Sequence, residues 1–144
     1  MKYLILNLIL ALVLIPSPSA VFAREYNLEL TVNGVKEIKG DMSVALYDSG
    51  THFPSNTNYV FAQKIPIVDS VFKFTFTKIP AGSYAIAIYQ DLDRNGELNK
   101  NWMGVPKEPY GFSNDVRKRM GPPDFEDAAF SLTGDSEITI QLID

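Results

Sequence analysis

Cysteine is absent from all 144 residues. That excludes disulfides, thiolate nucleophiles, sulfur-bound metals and a lipid-modified N-terminal cysteine. Histidine is almost as scarce, because His52 in Ser49-Gly50-Thr51-His52-Phe53-Pro54 is the only one. A serine hydrolase would have to recruit it, yet nothing nearby resembles a nucleophile elbow. His52 therefore reads as an exposed loop residue, and no residue is assigned a catalytic role. Positive charge is in deficit, with 13 Lys and Arg against 17 Asp and Glu. That balance argues against nucleic acid and against an anionic membrane face as partners. Amphipathic helical periodicity, internal repeats and low-complexity tracts are missing as well.

The one long apolar run lies at the N-terminus. Lys2 gives a positive start, Tyr3 to Ile15 is apolar apart from Asn7, and Pro16 ends any helix. Val21 and Ala23 then sit where a signal cleavage site carries its small residues. The run is shorter than the roughly 18 residues expected of a spanning helix. Residues 1–23 are thus expected to be an export signal cut after Ala23 rather than a retained anchor. Residues 24–144 are expected to be one domain, periplasmic or secreted, with no stable membrane span. Loss of Lys2 makes that domain more acidic still.

The remaining chain alternates with period two wherever it is periodic. Leu28, Leu30 and Val32 form one apolar set, closed by Asn33-Gly34. Met42, Val44 and Leu46 form a second, and Phe72, Phe74 and Phe76 the clearest of all. Pro80-Ala81-Gly82 turns into Tyr84 to Tyr89, which reads as a central strand buried on both faces. Tyr59 to Ile67 reads as a strand that Pro66 keeps at an edge. Ala129 to Leu132 and Ile138 to Leu142 read as a hairpin about Thr133-Gly134-Asp135. About seven short strands with polar turns predict an all-β, two-layer sandwich. Trp102 to Asp127 breaks the rhythm with four prolines and three glycines, yet Trp102, Tyr110, Phe112 and Phe125 weigh against disorder. It is expected to be one long ordered loop over an end of the sandwich.

One stretch names a chemical partner. Asp91-Leu92-Asp93-Arg94-Asn95-Gly96-Glu97 places oxygen-bearing side chains at alternate positions and a glycine at the sharp turn, as the first half of an EF-hand loop does. Calcium takes about six to eight oxygens. Asp91, Asp93, Asn95 and the Glu97 carbonyl would supply four of them. The position that holds a bidentate Glu in an EF-hand is Trp102, so a further carboxylate must come from elsewhere: Glu108, Glu126 or Asp127. The competing reading is an Asx-rich turn with no metal. Magnesium fits less well, because it seldom recruits so many protein oxygens.

Other features have blander accounts beside sharper ones. Glu108 with Glu126 or Asp127 could be assembled on paper into a glycosidase pair, but their separation cannot be read from spacing. Arg117-Lys118-Arg119 reads as a solvated basic run pairing with nearby acids. Trp102, Tyr110, Phe112 and Asn114 are candidate ligand-contacting residues, the three aromatics by stacking on a sugar or another planar ligand, although aromatics in a β-protein more often belong to the core.

Taken together, these residues resemble a known family. Ile79-Pro80-Ala81-Gly82-Ser83-Tyr84 resembles the turn and strand of transthyretin-like (prealbumin-like) or Ig-like sandwiches. The order of Asp91-x-Asp93-x-Asn95-Gly96, Gly104-x-Pro106, Tyr110-Gly111-Phe112-Ser113-Asn114 and Gly121-Pro122-Pro123-x-Phe125-Glu126-Asp127-Ala128-Ala129-Phe130 is similar to the secreted bacterial family of domain of unknown function 2141. The resemblance implies a transthyretin-like sandwich and export, and no activity. Where such domains often have Leu-Asp after the loop glycine, this chain has Leu98-Asn99, one formal charge fewer. Two function classes stay open: a non-enzymatic binding or structural module for an unknown ligand or envelope protein, and an enzyme or accessory subunit acting on an envelope polymer or carbohydrate through the carboxylates of the long loop.

Overall fold

The period-two runs become strands, and the depth of their alternate residues shows where two layers meet. A computed structural model describes residues 23–55 and 57–144. The expected export signal, up to Phe22, lies outside the described residues. β1 (Glu25–Asn33), β4 (Phe72–Pro80) and β8 (Ser136–Gln141) make a three-stranded sheet in the order β4-β1-β8. The second sheet runs β3 (Phe61–Pro66), β2 (Asp41–Tyr47), β5 (Gly82–Asp91) and β6 (Tyr110–Phe112), with β7 (Phe130–Leu132) also paired to β5. This is a two-layer, all-β sandwich.

Alternation decides the core. Leu28, Leu30 and Val32 of β1 face Met42, Val44 and Leu46 of β2 and Tyr84, Ile86 and Ile88 of β5 in one buried cluster. Each such side chain stabilises by about 1.5–3 kcal/mol relative to exposure. β4 keeps two inward phases by means of a bulge. Its pairing to β1 shifts between Leu28↔Phe76 and Tyr26↔Ile79, and Lys78 takes a left-handed φ of 57°. The extra residue lets both Phe76 and Ile79 face inward although three positions separate them. Phe74, whose alternation with Phe72 and Phe76 assigns it to the core face, is only half-buried and packs edge-on against Phe76 at 4.9 Å between ring centroids.

Two expectations are revised. Thr133-Gly134-Asp135 does not close a hairpin: β7 pairs with β5 in the larger sheet, while β8 crosses over to run parallel to β1. The physical reason is burial, since Leu132 and Ile140 are both fully enclosed in the single core cluster with strands of opposite sheets. The segment from Trp102 to Asp127 is ordered but not uniform loop. It contains β6, a 3-10 turn at Ser113–Asp115 and all but the last residue of the short helix α1 (Phe125–Ala128). Asn99 to Lys107 folds as a small hairpin, with Lys107 N–H donating to the Asn99 carbonyl at 2.8 Å and Asn101 N–H to that of Val105 at 2.9 Å. Gly111 is where β6 runs close under β8, since a Cβ there would meet Ile140 Cγ2 at 2.7 Å.

The outer face of the larger sheet carries a second, smaller cluster. Ala85, Phe112 and Ala128 are buried there, with Phe53, Val116 and Phe125 packed around them. This cluster seats the 3-10 turn and α1 on β5 and so fixes where the later loops begin.

Candidate functional site: a carboxylate centre at the end of β5

β5 ends in Asp91, and the chain must turn there without losing the charge it has just buried. Asp91 is 1% exposed, paired across to Asp41 of β2. Its carboxylate is met by the backbone of the loop it begins: Asn95 N–H donates to Oδ1 at 3.1 Å and Gly96 N–H to Oδ2 at 2.8 Å. Gly96 adopts a φ of 90°, which favours glycine and turns its N–H inward. Arg94 takes a left-handed φ of 59° beside it, and its Nε reaches Asp41 Oδ1 at 3.2 Å. Tyr89 Oη donates to the Gly96 carbonyl at 2.9 Å, tying the loop back to its parent strand. Burial raises the Tyr89 pKa, and the negative charges of Asp91, Glu108 and Glu97 add to it against the opposing bond to Ser43.

Three carboxylates converge. Asp91, Asp93 and Glu108 each offer an oxygen, and these lie within 4.8 Å of one another. Glu108 is 4% exposed and holds two backbone donors, Leu92 N–H at 2.8 Å and Asn99 N–H at 2.9 Å. Asp93 accepts from Asn99 Nδ2 at 2.9 Å and from Asn95 Nδ2 at 3.2 Å. Its pKa is lowered, first by the Asn99 hydrogen bond and then by the backbone donor of Asn95, with slight burial opposing. Among the described residues, the cation paired with this centre is Lys64, whose Nζ stands 3.9 Å from Asp91 Oδ2. Among the described residues no cationic side chain pairs with Asp93 or Glu108.

The sequence-nominated residues separate cleanly. Asp91, Asp93 and Asn95 share the site, and of the three further acids only Glu108 joins them. Glu126 and Asp127 sit on α1, where Lys118 contacts Asp127 at 3.6 Å and Glu126 lies beside Gly50. Glu97 has an exposed side chain, and its N–H is held by Asn95 Oδ1 at 2.8 Å. Trp102 is 92% exposed at the tip of the small hairpin. Phe112 belongs to the second core cluster, with Tyr110 packed against it. Asn114 is a staple, because its Nδ2 donates to the Asp127 and Ala129 carbonyls at 3.2 and 2.9 Å.

Asn99 was missed as a site residue. It continues the alternate spacing to the ninth loop position, where an EF-hand places a ligand often acting through water. That spacing was the available signal. Its Oδ1 receives Asn95 Nδ2 at 2.8 Å, so the two amides knit the loop across Asp93. A cation fits this donor set: the Asp91, Asp93 and Glu108 carboxylates, with the Asn95 and Asn99 amides hydrogen-bonded beside Asp93; of Glu97, only the N–H is fixed in the loop, on Asn95 Oδ1. Asn95 would have to turn its amide over, since its Nδ2 now faces Asp93.

Beside the centre lies a groove of about 760 Å³ on the outer face of the larger sheet. Ala45, Ala62 and Ala87 line it together with Tyr47, Tyr59 and Tyr110. Tyr47 Oη donates to the Ser55 carbonyl at 2.6 Å, and burial above all pushes its pKa up to about 12. Glu97 is the only carboxylate among the described residues that line the groove.

A family model for DUF2141, described as an uncharacterized protein conserved in bacteria, matches residues 30–141. The chain belongs to this family. The DUF2141 match runs from the middle of β1 to the end of β8, so it takes in both sheets and the whole carboxylate centre. Comparison with curated proteins and with solved structures gives no match.

Proposed function

We propose that this DUF2141 chain is an exported, non-enzymatic binding or structural module whose Asp91–Asp93–Glu108 centre takes calcium. One observation carries the reading. Three carboxylates, two of them buried, converge within 4.8 Å around backbone donors, with one lysine among the described residues at 3.9 Å as partial compensation. Buried like charges repel strongly at low dielectric, and a divalent ion relieves that more completely than one distant ammonium. Calcium suits the set better than magnesium because it accepts many protein oxygens in variable geometry, whereas magnesium keeps several of its waters. The ion's role is mechanical: it ties the end of β5 to the base of the Asn99–Lys107 hairpin through Glu108 and Asn99. The transthyretin-like kinship of the sandwich and its export belong to the same proposal, supported by the turn motif and by the apolar N-terminal run.

Binding is favoured over catalysis by the groove. Its described lining mixes tyrosines, small residues and the lysines Lys64 and Lys100, and its one carboxylate, Glu97, is exposed on the loop rather than set opposite a second acid. Glu108, the best acid for an enzyme, has both oxygens engaged by backbone N–H groups.

Titration calorimetry of the purified protein with calcium, with magnesium and after chelation is the test. Saturable calcium binding that Asp93→Ala abolishes, with the far-UV spectrum unchanged, is the expected result. No heat and no change in melting temperature at millimolar calcium would make the loop an Asx-rich turn and end the proposal.

A further inference from the structure

Four of the large apolar side chains that stand exposed among the described residues gather on two neighbouring loops: Trp102, Met103, Val105 and Met120. The first loop is the hydrogen-bonded hairpin that starts at Asn99, beside the carboxylate centre. Its ladder is closed by Lys107 N–H to Asn99 and Asn101 N–H to Val105, and the Asn101 side chain accepts the N–H groups of Met103 and Val105 at 2.9 and 3.0 Å. Trp102, 92% exposed, is therefore held out by structure. The second loop turns at Met120-Gly121-Pro122, and Met120 is 87% exposed. Met103, Val105 and Met120 line one cavity of about 760 Å³ together with Lys100, Lys118 and Arg119, so the two tips flank the same opening.

Charge decides the partner. The whole chain is acidic, yet residues 99–121 hold five basic residues and two acidic ones, and one of those acids is the buried Glu108. Lys118 is neutralised in part by Asp124 and Asp127. Lys100, Lys107, Arg117 and Arg119 pair with no acid among the described residues. A protein interface gathers its apolar groups on a face whose centre is depleted of charge. Here the apolar groups stand on two turns, Lys100, Lys118 and Arg119 share their opening, and Trp102 is the most exposed of them. That is the arrangement that enters a bilayer interface, with Trp at headgroup depth and Lys or Arg on anionic lipid.

We propose that the Trp102–Met103 tip and Met120 dock this protein on an anionic phospholipid surface, peripherally and without a span. This goes beyond the calcium reading and does not depend on it. The lone tryptophan is the reporter. Protein purified from cells expressing the full chain is mixed with phosphatidylcholine vesicles, or with equimolar phosphatidylcholine and phosphatidylglycerol, in calcium and in chelator. Anionic vesicles should shift Trp102 emission to shorter wavelength and allow quenching by brominated lipid tails, in at least one of the two conditions, and neutral vesicles much less so. Because Trp102 itself reports, partitioning through the N-terminal apolar run leaves its emission unchanged. Arg119→Gln should lower partition roughly fivefold, and Met120→Asp, an exposed position, should lower it further with the melting temperature retained. Emission unmoved by anionic vesicles in both conditions overturns the proposal and leaves the tips to a protein partner. A shift that both variants reproduce in full overturns it too.

Discussion

At Asn99 a single atom exchange separates two kinds of loop. Its amide donates to Asp93 and accepts from Asn95, so in the absence of a cation the loop carries its charge on side-chain N–H groups. An aspartate there would remove that donor and set a fourth carboxylate beside Asp93. Asn99→Asp is therefore expected to lower the melting temperature in chelator and to enlarge the rise that calcium produces. The like-charge pair is unfavourable when empty and becomes an added ligand when an ion is present. Melting curves of both proteins with and without calcium check this, and a calcium-induced rise no larger than that of the native protein would remove Asn99 from the ligand set. Sequence spacing indicated Asp91, Asp93 and Asn95 because they are close along the chain. It left Glu108 as one of three choices, since only the Asn99–Lys107 hairpin shows which acid returns to the loop.

Among the elements, β4 shows how much of a strand alternation can carry. Phe72, Phe74 and Phe76 do share a phase, but the bulge at Lys78 and the edge position of β4 give them unequal depth. Phe76 is 1% exposed, whereas Phe74 is half-buried. Phe76→Ala should cost about 3–5 kcal/mol through the cavity it leaves, and Phe74→Ala clearly less, because its site opens to water and needs no enclosed void. Chemical denaturation of the two variants tests the order, and equal losses would contradict the unequal depth of the two rings. β6 was illegible for a related reason. Three residues, Tyr110-Gly111-Phe112, are too short to show a period, and they are a strand only because β5 offers Ala87 to Tyr89 as partners. The turn after β7 has the residues of a tight hairpin, but burial of Leu132 and Ile140 sends its two arms to different sheets. Local turn chemistry yields to the core in that case.

For the molecule as a whole, net charge was the least informative number. An acidic total argued against an anionic surface, yet the basic residues concentrate in the segment that also holds the exposed tryptophan, so the average hid the asymmetry. The sandwich itself is held by a core that does not involve the carboxylate centre. The centre is thus positioned to govern one local unit, the hairpin from Asn99 to Lys107, without governing the fold. An ion bound only to the native state adds RT ln(1 + [L]/Kd), about 2.7 kcal/mol at a hundredfold excess over Kd. For a domain of this size that is on the order of 10 °C in melting temperature. Local openings should respond differently from global ones, because those that release Glu108 from Leu92 and Asn99 must first give up the ion. Hydrogen exchange followed by mass spectrometry is therefore expected to show calcium-dependent protection concentrated in peptides covering 91–108. Peptides of β1 and β2 should change only where their exchange already requires global unfolding. Uniform slowing across both sheets with no excess at the hairpin would mean that the ion stabilises the whole sandwich and that the hairpin is not its target.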